Sequence, residues 1–254
     1  MAESVMLSYD QAPYEVREDI SRTHEDIWQH LAGPGTWLTG ERRMAIAAET
    51  RVAAACELCR RRKEALSPYA LDGVHDGLGA LPDNVTEMIH RIVTDPGRIT
   101  RKWVDGLISG GISEPEYVET VSVIAHTICV DTFTDSLGMP RHPLPEPGQG
   151  EPSRTLPEGA STTTAWLPTI PPEKADGMLL AIYPQNVGDS PNAPHVRRAM
   201  SLVPAEAVSF FRLNDVQYLP PEAMWNVDVN PRTISKSQVE LTASRVSSLN
   251  GCFY

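Results

Sequence analysis

The stretch from Thr39 to Lys63, TGERRMAIAAETRVAAACELCRRRK, constrains this chain more than any other. Thr39 has N-cap chemistry, Glu41 falls in the first turn, and Arg60, Arg61, Arg62 and Lys63 crowd the far end. That charge order suits the helix dipole. The interior is rich in Ala, Ile, Met and Val, and the pattern predicts one long helix. On it Ala45, Glu49, Val52, Cys56, Cys59 and Lys63 recur at helical spacing and share a face. A carboxylate, two thiols and an amine on an otherwise apolar stripe cost free energy unless they are partnered or used.

With 254 residues, the chain can bury a sizeable core in one or two domains. The formal charge of −11 argues against nucleic acid or an anionic membrane surface as partner, since both require basic protein surface. No apolar run reaches membrane-spanning length, and MAESVMLSYDQ lacks a basic segment followed by an apolar one. A cytoplasmic location is the expectation. Cys56, Cys59, Cys129 and Cys252 are too few and too scattered for a disulfide scaffold. In a reducing compartment the Cys56–Cys59 pair is redox-active, metal-binding or merely buried.

Residues 1–17 read as a poorly ordered arm, followed by a helix from about Arg17 to Leu31 that Gly33-Pro34-Gly35 closes. Asn84 and Glu87 have capping-box spacing and open a helix through His90 and Val93. Residues 98–109 form another. Ser113 and Glu116 make a second capping box, for a helix running to about Leu137 that holds Glu119, His126 and Cys129. Nine prolines between 140 and 172 mark an extended linker or a strap lying across another surface. Beyond it HVRRAMSLV, PAEAVSFFRLNDVQYL and SKSQVELTASRVSSLN read as helices, the last with Ser235 as N-cap. Strand signals are nearly absent, so the expected class is all-α. The divisions are an arm (1–17), a helical half with the CxxC (18–139), a Pro-rich linker (140–175) and a second half (176–254).

Two features carry a family resemblance. One is the helix at 39–63 with GERR, Cys56-Glu57-Leu58-Cys59 and the downstream ISEPEYVETVSVIAHTICVDTF. The other is the end of the chain, where Glu240 stands twelve residues before Cys252 and Asn250-Gly251-Cys252 matches the approach to a CxxC. Together they resemble the AhpD-like superfamily, which includes alkylhydroperoxidases and carboxymuconolactone decarboxylases. The resemblance implies a helical bundle of two related halves, the second incomplete at Tyr254, and a homo-oligomer. It also implies peroxidase-like thiol chemistry on a small-molecule substrate. The departures are specific: Lys63 stands where the family has its motif His, and Met44 where it has its distant Glu.

Thiol peroxidase chemistry needs a thiolate, a resolving thiol and a proton shuttle. The candidates are Cys56 and Cys59 as the thiols, with Glu49, Lys63 and His126 handling protons. On charge alone Cys59, beside Arg60 and near Lys63, is the easier thiolate. A reactive CxxC gains most at a helix N-terminus, and a helix starting at Thr39 would deny both thiols that help. A second reading takes Glu49, Glu119, His126 and His90 as ligands of an iron or manganese oxidase. A third makes the protein a catalytically inactive binding or assembly subunit. Bland alternatives stand beside each: small core thiols in an Ala-rich helix, a buried His126 bonded to Glu119, and a solvated basic helix end at Arg60–Lys63.

Overall fold

A computed structural model describes residues 7–163, 165–183, 194–226 and 228–252. Phe253 and Tyr254 lie outside the described residues, as do residues 1–6 of the expected arm. The fold is all-α: the described residues contain ten α-helices and no strand, only an isolated bridge between Ser161 and Thr169. No helix of the described residues is long and apolar enough to cross a membrane.

α1 (Glu18–Ala32) buries Ile20, His24, Ile27, Trp28 and Leu31, a stripe at helical spacing. α2 (Gly40–Ala53) starts where Thr39 accepts a hydrogen bond from the Arg42 amide. α2 does not continue to Lys63. It ends at Ala53, and a separate α3 (Glu57–Glu64) begins with Cys56 as its N-cap in extended geometry (φ −67°, ψ 123°). The single long helix is thereby corrected. The cause is tertiary: the first free amide of α3, Glu57 N–H, donates to Asp76 Oδ2 at 2.8 Å, so a distant loop caps the new helix. Ala-rich propensity favours continuation by only a few tenths of a kcal/mol per residue, roughly, which such contacts exceed.

α4 (Asp83–Thr94), α5 (Arg101–Ser109) and α6 (Glu114–Ser136) follow. The Ser113–Glu116 capping box forms as expected, with Pro115 in the first turn. The Asn84–Glu87 box does not: Pro82 is the N-cap of α4, and Glu87 is used elsewhere. α2 packs on α1, α4 and α6, with Ile46 and Ala47 fully buried against Met88, Ile89, Val123 and Val130. The stretch 7–17 is not a loose arm, because Leu7 and Tyr9 enter this core.

The Pro-rich segment is a strap on α1 and α2. Trp28 Nε1 donates to the Pro143 carbonyl at 2.9 Å, Arg51 to that of His142 at 2.8 Å, and Gly148 N–H to that of Ala32 at 2.8 Å. Gly40 permits the close approach, since a Cβ there would lie 2.4 Å from the Ala32 oxygen and 2.5 Å from that of Gly148. The strap leads to α7 (His195–Arg198), α8 (Pro204–Gln217), α9 (Pro221–Trp225) and α10 (Lys236–Leu249). Leu179, Leu202, Val203, Ala207 and Phe211 form a second core that meets Val118 of α6. α8 lies on α1 and α6, whereas α10 buries no residue.

A buried ion network joins α8 to the first helices. Arg43 of α2 bonds both Glu119 of α6 and Glu206 of α8, each at 2.7 Å, with all three side chains fully buried. Glu206 also accepts from Ser122 and contacts His30. Burial opposes its ionisation, but Arg43 and His30 hold the Glu206 carboxyl well below the usual range. Burial, with Glu206 adding repulsion, raises Glu119 despite Arg43. One guanidinium thus serves two carboxylates. Removing it in Arg43→Met strands them both, and the expected loss is about 3–5 kcal/mol in urea unfolding.

His24 donates from Nδ1 to Tyr9 Oη and accepts at Nε2 from the Gln217 amide, with distances of 2.6 and 2.8 Å. Burial, helped by His142, lowers its pKa from 6.5 to about 4. The fold therefore favours neutral His24, and the unfolded chain takes up the proton first as pH falls. This stability is complete above about pH 6.5 and is lost as pH falls toward about 4, by up to roughly 3 kcal/mol. Urea midpoints measured across that window should rise with pH, and His24→Asn should flatten the slope.

Candidate functional site

The break between α2 and α3 sets the geometry of the site. It turns Cys56 into the N-cap of α3 and leaves Cys59 in the first turn, both nearly inaccessible at 1% and 4%. The loop 71–82 then folds back and delivers His75 between them. His75 Nδ1 lies 3.5 Å from Cys56 Sγ and 3.5 Å from Cys59 Sγ. From α4, His90 Nδ1 lies 3.4 Å from Cys59 Sγ. The four donor atoms all fall within 4.8 Å of one another.

Each imidazole is backed by a carboxylate on its other nitrogen. His90 Nε2 meets Glu49 Oε1 at 2.7 Å, with both side chains fully buried. Glu49 Oε2 accepts from the Leu78 amide at 2.9 Å, so this one side chain on α2 fixes both α4 and the loop. His75 Nε2 meets Glu87 Oε2 at 2.8 Å, and Arg62 of α3 bonds that same oxygen at 2.6 Å. Carboxylates at both Nε2 positions favour protons there, which leaves Nδ1 facing sulfur in both rings.

The electrostatics follow from these contacts. Burial raises the Cys56 thiol, but backbone N–H groups of Cys59 and Asp76 and the His75 ring outweigh it, and the net shift is downward. Burial opposes a charged His75, but bonds to Cys59, Glu87 and Cys56 prevail and raise its pKa to about 10. Burial dominates at His90, whose pKa is lowered. Burial raises Glu87 too, yet His75 and Arg62 bring it down to about 2. A cleft of about 420 Å³ opens beside the cluster, lined by Val74, His75, Leu81, Thr86 and Glu87. His75 both lines that cleft and touches the two thiols. A larger cleft, about 600 Å³, lies against α10 and includes none of these groups.

The sequence candidates divide. Cys56, Cys59, Glu49 and His90 meet here. Lys63 is exposed at the end of α3, and its side chain takes no part. His126 does not meet Glu49: its Nδ1 donates to the Ser122 carbonyl at 2.8 Å, in the Arg43–Glu206 network, and its buried Nε2 has no partner among the described residues. Glu119 belongs to that network as well, bonding Arg43 and the Trp37 amide. The four-residue iron or manganese set is thereby split between two places. Met44 is core. Of the basic run, Arg62 is partnered at the site, and Arg60 pairs on the surface with Glu57 and Glu64. Cys129 packs in the core, where burial pushes its thiol up to about 11. Sequence reasoning missed His75. It sits in Asp72-Gly73-Val74-His75-Asp76-Gly77, a stretch without periodicity. The available signal was a CxxC followed by two histidines at similar intervals, Cys59 to His75 and His75 to His90.

No protein-family model matches the chain, and no match was found among curated proteins or solved structures.

Gly77 holds the loop against Glu49. A Cβ at Gly77 would lie 2.5 Å from Glu49 Oε1, the oxygen that faces His90. That oxygen cannot retreat without giving up its bond. Gly77→Ala should cost about 1–3 kcal/mol in chemical denaturation. It should also shift the His90 ring resonances in NMR spectra and leave those of His24 in place.

Proposed function

We propose that the protein is a thiol-dependent oxidoreductase that reduces a small hydroperoxide at Cys56 and Cys59. One observation carries this reading: two thiols one turn apart, at the start of a helix, each touch an imidazole whose far nitrogen rests on a buried or half-buried carboxylate. Nucleophile, resolving thiol and proton path are the three parts that the chemistry requires. The CxxC is also what this part of the sequence shares with the AhpD-like superfamily, and Glu49 of the preceding helix supplies an acid where the family's position holds Met44. The imidazoles come from His75 and His90 in place of the family's motif position.

Cys56 is the attacking group in this reading. It holds the N-cap position of α3, where backbone N–H groups favour a thiolate. Its sulfur attacks the terminal oxygen of ROOH, the O–O bond breaks, and Cys56 becomes a sulfenic acid. The departing alkoxide takes a proton from His75, the ring facing the cleft, and leaves as ROH. Cys59 then gives its proton to His90 Nδ1, with Glu49 stabilising the charged ring from behind. The Cys59 sulfur attacks the Cys56 sulfenic sulfur and closes a disulfide. The released hydroxide recovers the proton as water. Two thiols and one ROOH thus yield one disulfide, ROH and water, and an external dithiol resets the centre.

The test is rapid-mix peroxide consumption with a disulfide count by mass spectrometry. Wild-type protein should form a Cys56–Cys59 disulfide stoichiometrically. Cys56→Ser should abolish turnover, and Cys59→Ser should stall at a sulfenic acid that dimedone traps. Glu49→Gln should keep the helical signal and slow disulfide closure by roughly 10²-fold. Peroxide consumption unchanged in both Cys variants would refute the reading.

A further inference from the structure

We propose that Cys56 Sγ, Cys59 Sγ, His75 Nδ1 and His90 Nδ1 form a tetrahedral binding site for zinc. This site uses the side chains of the proposed redox centre, but it needs only their donor atoms and does not rest on peroxide turnover.

The distances make the first argument. Zinc bonds thiolate sulfur at about 2.3 Å and imidazole nitrogen at about 2.0–2.1 Å, so tetrahedral angles require S···N edges of about 3.5 Å. The three S···N contacts in the cluster measure 3.5, 3.5 and 3.4 Å. Every donor pair falls within 4.8 Å, so one ion reaches all four without rearranging the helices.

Donor chemistry makes the second. Two sulfurs and two imidazole nitrogens are a set that selects zinc over manganese, magnesium or calcium, which prefer oxygen. Glu49 and Glu87 are not donors to the ion. They sit behind the rings, each on an Nε2, and so orient both imidazoles with Nδ1 toward the metal. This assigns Glu49 and His90 a different place from the iron or manganese set expected from sequence: one is a ligand and the other its support.

Charge and architecture make the third. Two thiolates beside a divalent cation sum to zero, which lowers the cost of burying Cys56, Cys59 and the fully buried His90. The ligands come from three separate pieces: the start of α3, the loop 71–82 and α4. That loop has no helix of its own between Leu71 and Pro82. An ion at the junction ties it to both helices, as structural zinc sites do. Four protein donors fill the coordination sphere, so the zinc-bound centre leaves no position for a reacting ligand. On the redox reading, zinc would therefore hold the thiols reduced and closed to peroxide.

The test uses the full chain, reduced and stripped with chelator, then titrated with Zn²⁺ or Co²⁺. The proposal expects about one equivalent of zinc retained after desalting. It also expects an intense tetrahedral ligand-field spectrum for the cobalt form, with thiolate-to-cobalt charge transfer. Glu49→Gln and Glu87→Gln should each weaken zinc roughly 10- to 100-fold. Cys59→Ser and His75→Ala should weaken it further, with Cys129→Ser unchanged, and circular dichroism tracks the fold of each. If those variants do not fold, the wild-type cobalt spectrum still decides. Less than about a tenth of an equivalent of zinc on folded, reduced protein would overturn the proposal. A weak octahedral cobalt spectrum, or zinc affinity indifferent to Cys59→Ser, would do the same. Zinc binding, with no peroxide turnover by the zinc-stripped, reduced protein, would support the metal site and remove the redox function, and turnover by the stripped protein with no zinc binding would do the reverse.

Discussion

The Glu49 carboxylate is the contact on which the site depends. One oxygen takes the His90 ring from α4 and the other takes the Leu78 amide from the loop. Glu49 itself is fixed by α2, the helix packed on α1, α4 and α6. A buried carboxylate with two partners of this kind is costly to strand and therefore directional. It sets the height of His90 against α3 and presses the loop down so that Asp76 can cap Glu57. The chain break that makes Cys56 an N-cap follows from that loop position.

A second buried network, around Arg43, does a different task. It connects α2, α6 and α8 through Glu119 and Glu206, with His30, Ser122 and His126 beside it. Both networks hang from α2, with Arg43 near its start and Glu49 near its end. The separation explains why acids and histidines that look equivalent in sequence divide into two roles. Near the thiols every ring nitrogen found has a partner, and the chemistry is that of sulfur and imidazole. Near Arg43 the charges answer one another and tie the helices together.

Much of the fold was legible because its helices announce themselves. Thr39, Ser113 and Ser235 cap helices as their sequence context indicates, and the apolar stripe of α1 matches its buried face. The proline-dense stretch reads as a linker or a strap, and in the structure it bonds Ala32, Thr36 and Trp28. Three things were not legible. The Ala-rich run from α2 to α3 carries no local stop signal, since the break is imposed by Asp76 and Glu49 acting across the loop. Glu87 has the spacing of a cap but spends its carboxylate on His75 and Arg62. The pairing of Cys56, Cys59, Glu49 and His90 was within reach of spacing arguments. His75 was not, because loops place side chains by tertiary contacts that no periodicity records.

The central claim is that the two thiols and the two imidazoles form one centre, with Nδ1 of each ring toward sulfur. Long-range ¹⁵N NMR of histidine-labelled, reduced protein reads that directly. The account predicts protonated Nε2 in His75 and His90, and Nδ1 shifts in both rings when the thiols are oxidised, with His24 and His126 unmoved. Nδ1 resonances of His75 and His90 that ignore the state of Cys56 and Cys59 would contradict it.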